Sequence, residues 1–181
     1  MSWFVAGCWA VFAAYWAISS VNVKAAVHRE SLARALPHRV LLIAAYALLA
    51  IRALPWPLDH RWLPDLRIVG DVVCVLGVVI AITARRALAG NWSSAVTLKA
   101  DHELIRTGAY RFVRHPIYTG ILTLCLGSAI ADGQLRGALA FVLMLVAFSI
   151  KARREEQLLM QHFADYAAYK REVKALIPFV I

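Results

Sequence analysis

Residues 104–120 read Leu-Ile-Arg-Thr-Gly-Ala-Tyr-Arg-Phe-Val-Arg-His-Pro-Ile-Tyr-Thr-Gly. A polar, basic connector precedes this stretch and an apolar run, residues 121–130, follows it. Gly108 can take φ > 0 and suits a tight turn. Pro116 fits the first position of a helix, where its missing N–H costs nothing. His115 then stands at the helix entrance beside free backbone N–H groups, with Arg111 and Arg114 adding positive charge. The stretch therefore predicts an apolar helix starting beneath a cluster of His, Arg and Tyr, a place for an anionic or polar group at a membrane surface. Interfacial anchoring explains any one of these residues. The whole arrangement is more specific.

Outward from this point the chain is organised in apolar blocks. Of its 181 residues 61% are hydrophobic, against about 45–50% in a soluble domain. The blocks fall at residues 3–20, 40–54, 68–84, 117–131 and 135–150, and they predict about five transmembrane helices. Residues 31–36 read as a short amphipathic helix ended by Pro37. Residues 96–98 read as a short extended piece, and Asp101-His-Glu-Leu as a turn. Arg52 lies near enough to the end of the second block to snorkel, and Trp56 and Trp62 mark an interface. Asp-Gly-Gln, residues 132–134, separates the last two blocks, and Gly133 suits the tight turn of an antiparallel helical hairpin. The expected fold is all-α and polytopic, ending in this short hairpin and a cytoplasmic amphipathic helix.

Charge gives the orientation. Lys and Arg outnumber Asp and Glu by 20 to 11. Sixteen of the 20 lie in stretches 21–39, 85–116 and 151–181, and the other four in 51–67 and 131–136. The positive-inside rule places the N-terminus outside and the C-terminus in the cytoplasm, with residues 104–120 and the tail on one face. Such a surplus also suits contact with anionic membrane lipid. No polybasic run or nucleic-acid motif is present, so nucleic acid is not an expected partner. Cys8, Cys74 and Cys125 sit inside apolar segments without metal-ligand or CxxC spacing, and no metal site is expected.

The tail, from Lys151 through Glu155-Glu156 to Tyr169, is helical by propensity. Glu155, Leu159, Phe163 and Tyr166 share one face of such a helix. An amphipathic helix on anionic lipid accounts for Arg153 and Arg154 but not for adjacent carboxylates. A cationic ligand, or a salt bridge to Arg111 or Arg114, accounts for those.

The run Arg-His-Pro-Ile-Tyr-Thr-Gly, residues 114–120, followed by a short hairpin and then Glu155-Glu-Gln-Leu-Leu, Phe163, Tyr166 and Tyr169, resembles the isoprenylcysteine carboxyl methyltransferase family and the wider group that includes phospholipid N-methyltransferases. The resemblance covers about residues 90–178. The apolar blocks make one integral membrane domain over residues 1–181 with three N-terminal spans in 1–84, and the resemblance implies a cofactor-binding catalytic half in 85–181. It implies S-adenosyl-L-methionine as cofactor and a lipophilic or lipidated acceptor, most simply the carboxylate of an isoprenylcysteine. Carried over residue by residue, Tyr110, His115, Pro116 and Tyr118 line the cofactor pocket. Glu155 and Glu156 approach its polar or cationic end, and Leu104 and Gly108 shape a lid loop. Arg114 is the candidate to hold a carboxylate of cofactor or acceptor, and Arg114 and Glu155 are the catalytic candidates. Ala109 and Ala164 depart from the Pro and Gly usual in the family. A Gly-rich phosphate loop and a βαβ pattern are absent, which argues against a Rossmann-type cofactor site. A lipid amine or small thiol remains open as acceptor. A nicotinamide-dependent membrane reductase and a non-catalytic scaffold remain open as other classes.

Overall fold

The computed structural model describes residues 2–21, 26–51, 54–55, 57–92, 97–99 and 104–177. In chain order these form α1 (Trp3–Ser19), β1 (Ala26–Arg29), α2 (Leu32–Ala50), α3 (Arg67–Leu88), β2 (Thr97–Lys99), α4 (Pro116–Asp132), α5 (Leu135–His162) and α6 (Tyr166–Glu172). Two 3-10 turns, Ala89–Asn91 and Gly108–Arg111, extend α3 and precede α4. The expectations for Arg52, Trp56 and the Asp101 turn lie outside the described residues.

Helices α2, α3 with its 3-10 extension, and α5 are each long and apolar enough to cross a membrane. Helices α1 and α4 are apolar and 17 residues long, about 25 Å at ~1.5 Å per residue. Val11, Ile43, Ile68, Val72, Leu76 and Val142 point outward and stay exposed, as a lipid-facing surface requires. The chain is an integral membrane protein.

Helix α4 is the centre. It is apolar all round, the pattern of a helix buried on every side. It packs on α3 through small residues: Gly70 against Ala131, Gly77 against Leu124, Gly120 against Ala81 and Gly127 against Cys74. Backbones approach this closely only where Cβ is missing, the usual device for helix pairs in lipid. On its other side α4 turns at Gly133 (φ 65°) into α5. This is the expected hairpin, and the left-handed Gly closes the helix through its N–H to the Ala129 carbonyl at 2.9 Å. Helix α2 lies against α5, and α1 against α3 and α4.

Two buried arginines fasten helix ends. Arg85 of α3 donates to the Ser19 carbonyl at the end of α1 and lies 4.7 Å from the Trp92 ring centre. Arg136 of α5 donates to the Leu48 and Ile51 carbonyls at the end of α2 and pairs with Asp132 at 3.3 Å. Each supplies donors to carbonyls that a helix terminus leaves open, where the dipole favours a cation.

Two expectations need correction. The short helix ending at Pro37 is the start of α2, which passes through Pro37 and continues to Ala50. An interior Pro costs about 3 kcal/mol. Burial of Ala35, His38, Ala45 and Leu49 offsets it, since lipid-immersed backbone must stay hydrogen-bonded. The tail is not one helix. It breaks at Phe163, whose backbone is extended (φ −112°, ψ 116°), so the expected face ends at Leu159. The break lets the chain fold back onto α4. The connector after α1 holds a strand: β1 pairs antiparallel with β2, with Arg29 opposite Thr97.

Candidate functional site

Gly108 has φ 61° and opens the 3-10 turn Gly108–Arg111, which leads the chain to the head of α4. His115 is the residue before that helix, and Pro116 occupies its first turn, fully buried. One turn in, the Tyr118 ring runs parallel to two others. His115 lies 5.3 Å away at 5°, and Phe148 of α5 lies 4.6 Å away at 12°.

Two adjacent carboxylates of α5 reach this stack. The Tyr118 hydroxyl is 2.7 Å from each oxygen of Glu155. His115 touches both carboxylates, with Nδ1 3.5 Å from Glu155 Oε2 and Nε2 3.2 Å from Glu156 Oε1. Burial alone would push the imidazole down, but hydrogen bonds and charge from Glu155 and Glu156 outweigh it and raise its pKa. The anion expected at the head of α4 is therefore supplied by the chain itself.

Glu155 also faces Lys151, one turn earlier on α5. The Lys151 ammonium is 3.9 Å from Glu155 Oε1 and 5.1 Å from the Tyr118 ring centre. The place between this carboxylate and the aromatic face thus holds a cation. Glu156 points elsewhere. Its Oε1 accepts from Arg114 Nε at 2.8 Å and lies 2.7 Å from Nη2, while its Oε2 is 2.9 Å from Lys170 Nζ of α6. Arg114 Nη1 donates to the carbonyls of Lys170 and Val173.

The returning tail is sewn along the same strip. The Arg114 and His115 amides donate to the Lys174 and Ala175 carbonyls at 2.8 and 3.0 Å, and Thr119 Oγ1 donates to Leu176 at 2.7 Å. The Tyr169 hydroxyl donates to the Tyr110 carbonyl at 2.5 Å. Burial pushes that hydroxyl up to about 12, so it stays a donor at physiological pH. Arg106 pairs with Asp165 and lies 5.3 Å from the Tyr169 ring centre.

Of the residues singled out in the sequence, Arg114, His115, Tyr118, Glu155 and Glu156 form one bonded cluster. Pro116 sets the helix beneath it, and Tyr110 enters through its carbonyl. Leu104 and Gly108 lie in the approaching connector, where Gly108 passes close to Ala87 of α3. Arg111 is exposed and lies 4.5 Å from the Phe112 ring centre, so the pairing left open between Arg111 and Arg114 falls to Arg114. Sequence reasoning missed Lys151 and Lys170. Lys151 could have been found, because it stands four residues before Glu155 at the end of an apolar run. Lys170 joins through the break at Phe163, which has no sequence signal.

The family model described as "Phospholipid methyltransferase" matches residues 66–166. The chain belongs to the phospholipid methyltransferase family. Within it the chain is similar to protein-S-isoprenylcysteine O-methyltransferases. It is 31% identical to that of Saccharomyces cerevisiae over 117 residues, which cover 62% of this chain and 49% of the yeast protein. It is 37% identical to that of Schizosaccharomyces pombe over 82 residues, covering 44% and 35%. The solved structure of a eukaryotic intramembrane Ras methyltransferase, isoprenylcysteine carboxyl methyltransferase, superposes with a TM-score of 0.53 at 28% identity, covering 85% of this chain and 55% of that one. The chain spans about half the length of these fungal and structural relatives at most.

Proposed function

We propose that this family member transfers a methyl group from S-adenosyl-L-methionine to a lipophilic acceptor, most simply the carboxylate of an isoprenylcysteine-like substrate, at the cytoplasmic face of the membrane. The observation that carries the reading is the Glu155 carboxylate held by Tyr118 beside a flat aromatic face that already accepts an ammonium. A cationic sulfonium or ammonium of the cofactor suits the same place, so the residues present fit that group. The N-terminus then lies outside, and five spans bring the ends of α3 and α5 to the side where α4 begins.

S-adenosyl-L-methionine supplies a methyl on a cationic sulfur, and transfer to a carboxylate replaces a carbon–sulfur bond by a carbon–oxygen bond, leaving a thioether and an ester with no proton to move. The protein's task is alignment and exclusion of water. Glu155 and the His115–Tyr118–Phe148 stack hold the cationic end. Pro116 and the Tyr110 carbonyl shape the wall, and the loop through Leu104 and Gly108 covers it. Glu156 fastens the tail. Arg114 is a positioning residue in this scheme: its guanidinium is taken by Glu156 and by the carbonyls of Lys170 and Val173, so it reaches the acceptor only indirectly.

The test is calorimetry of S-adenosylmethionine and S-adenosylhomocysteine on detergent-purified protein, with Glu155→Gln and His115→Ala beside wild type. Binding that both substitutions weaken supports the pocket. A farnesylcysteine carboxylate, a phospholipid amine and a small thiol then serve as acceptors. A folded wild type that binds neither cofactor form sinks the proposal.

A further inference from the structure

The returning tail descends along the head of α4. Val113 pairs in parallel with Lys174, so the tail runs in the direction in which the chain enters the helix. The Leu176 carbonyl then accepts from Thr119 Oγ1 at 2.7 Å, which sets Ile177 beside the first turn of this membrane helix. Lys174 stands on the aqueous side of that turn, beside the residues that precede it.

Four side chains along this seam are left open. Phe112 is 51% exposed and Ile177 44%. Arg111 and Lys174 are exposed as well. Arg111 lies 4.5 Å from the Phe112 ring centre, and among the described residues neither it nor Lys174 meets a carboxylate. Arg171 and Glu172, at the end of α6, add one charge of each sign and cancel. The seam therefore carries two unpaired cations just outside two bare apolar groups, at the level where a membrane helix begins. That is the layering of a segment seated in a bilayer surface. What lies against the end of a membrane helix is lipid, and the charge selects an anionic headgroup.

We propose that the seam docks an anionic phospholipid, Arg111 and Lys174 donating to its phosphate oxygens while Phe112 and Ile177 lie among the acyl chains. The docked lipid presses the tail onto α4. That contact reaches the site, because the Lys174 and Ala175 carbonyls hold the Arg114 and His115 amides at 2.8 and 3.0 Å. Membrane charge thus sets how firmly these two residues are fixed. Docking stands apart from the methyltransferase reading, and only its effect on the cofactor rests on it.

Each cation near an anionic leaflet contributes about fivefold in affinity, ~1 kcal/mol. The experiment places wild type in nanodiscs of phosphatidylcholine, with and without about one-third phosphatidylglycerol. Beside it stand Arg111→Gln/Lys174→Gln and a control, Arg34→Gln/Arg153→Gln, which removes two exposed cations elsewhere. Chymotrypsin cleavage beyond Phe163 reads the tail, and calorimetry reads S-adenosylhomocysteine affinity. Phosphatidylglycerol should slow cleavage about tenfold and tighten S-adenosylhomocysteine about threefold in wild type and control, and change neither in the seam variant. Raising salt to about 0.5 M should remove most of the effect. Equal cleavage in the two membranes for wild type overturns the proposal. So does a lipid effect that survives in the seam variant, or one lost equally in the control. Protection by soluble glycerol phosphate in neutral discs would make this a free-anion site and overturn it. A dimer in detergent that the seam variant disperses, seen by sedimentation equilibrium, would make it a protein contact and overturn it too. A tail protected by anionic lipid in a protein that binds no S-adenosylhomocysteine supports the docking and sinks the methyltransferase reading alone.

Discussion

Replacing Gly120 by Ala places one methyl group between α3 and α4. A Cβ there meets the Ala81 amide nitrogen at 2.5 Å and the Ala81 Cα and Cβ at 2.8 Å. Carbon contacts are comfortable from about 3.5 Å, so the helices must part by ~1 Å at this level. Neither neighbour is a flexible side chain that could swing aside. Overpacking of this kind costs about 1–3 kcal/mol. Ala also has a helix propensity about 0.8–1 kcal/mol better than Gly, which hides part of the loss. Gly7→Ala in α1 removes that ambiguity. A Cβ at Gly7 meets nothing within 4 Å, so this variant has the propensity gain without the clash. At ~2–4 °C per kcal/mol for a chain of this length, Gly120→Ala should melt roughly 2–12 °C below Gly7→Ala. The assay is intrinsic tryptophan fluorescence against temperature in one detergent at one pH. Gly120 lies one turn from Pro116, so S-adenosylhomocysteine affinity should fall as well. Melting points within about 1 °C of each other would refute the close-packed seam as the element that holds α4 in place.

Further outcomes follow from the same geometry. Tyr118→Phe removes the hydroxyl from Glu155, a hydrogen bond to a charged group worth about 1.5–3 kcal/mol. It should weaken S-adenosylhomocysteine binding at least tenfold in calorimetry while leaving the far-ultraviolet circular dichroism unchanged. Glu156→Ala breaks a buried pair with Arg114, a loss of about 3–5 kcal/mol, and should expose the tail beyond Phe163 to limited proteolysis. Arg114→Ala should give the same cleavage pattern. His115 has a folded-state pKa raised above its ordinary 6.5. Its contribution to stability is therefore complete below about pH 6.5 and is lost as pH rises through the raised value. Melting temperature should fall over that window in wild type and be flatter in His115→Asn, and parallel curves would contradict the bridge to Glu155 and Glu156.

The parts legible in the sequence are those whose cause is local. Gly108 and Gly133 both take left-handed backbone, as a turn at each requires, and Pro116 opens α4 where a missing N–H is harmless. The apolar blocks delimit α1, α3 and α4 to within four residues, whereas α2 starts eight residues before its block and α5 runs twelve residues beyond its own. Pro37 shows the limit of local reasoning: a helix breaker by propensity stays inside α2 because packing on α5 and the demand for bonded backbone in lipid outweigh it. The tail shows another. Its propensity is helical throughout, but the break at Phe163 serves hydrogen bonds to Arg114 and His115, some sixty residues back. The strand β1 forms for its partner β2. Such features depend on contacts across the chain, which no window of sequence contains.

The meeting of Tyr118 and Glu155 has a geometric origin in the hairpin. Tyr118 stands 15 residues before Gly133 and Phe148 stands 15 after it. At ~1.5 Å per residue both Cα atoms lie about 22 Å from the turn, at one height on antiparallel helices. The two rings therefore stack. Glu155 lies seven residues beyond Phe148, about 10 Å further from the turn. Side chains on a helix lean toward its N-terminus. On α4 that direction is away from the turn, and on α5 it is toward it, so Tyr118 and Glu155 lean toward each other and close the gap. Glu156, one residue on, is rotated by ~100° about α5. It cannot share the niche and faces Arg114 and Lys170 instead. The adjacent carboxylates thus divide the work, one turned to the aromatic niche and one to the tail. His115, at the head of α4, is the side chain that contacts both. Inserting a residue into the turn at Gly133 would change the height and rotation of every α5 group relative to α4, and would separate all of these pairs at once.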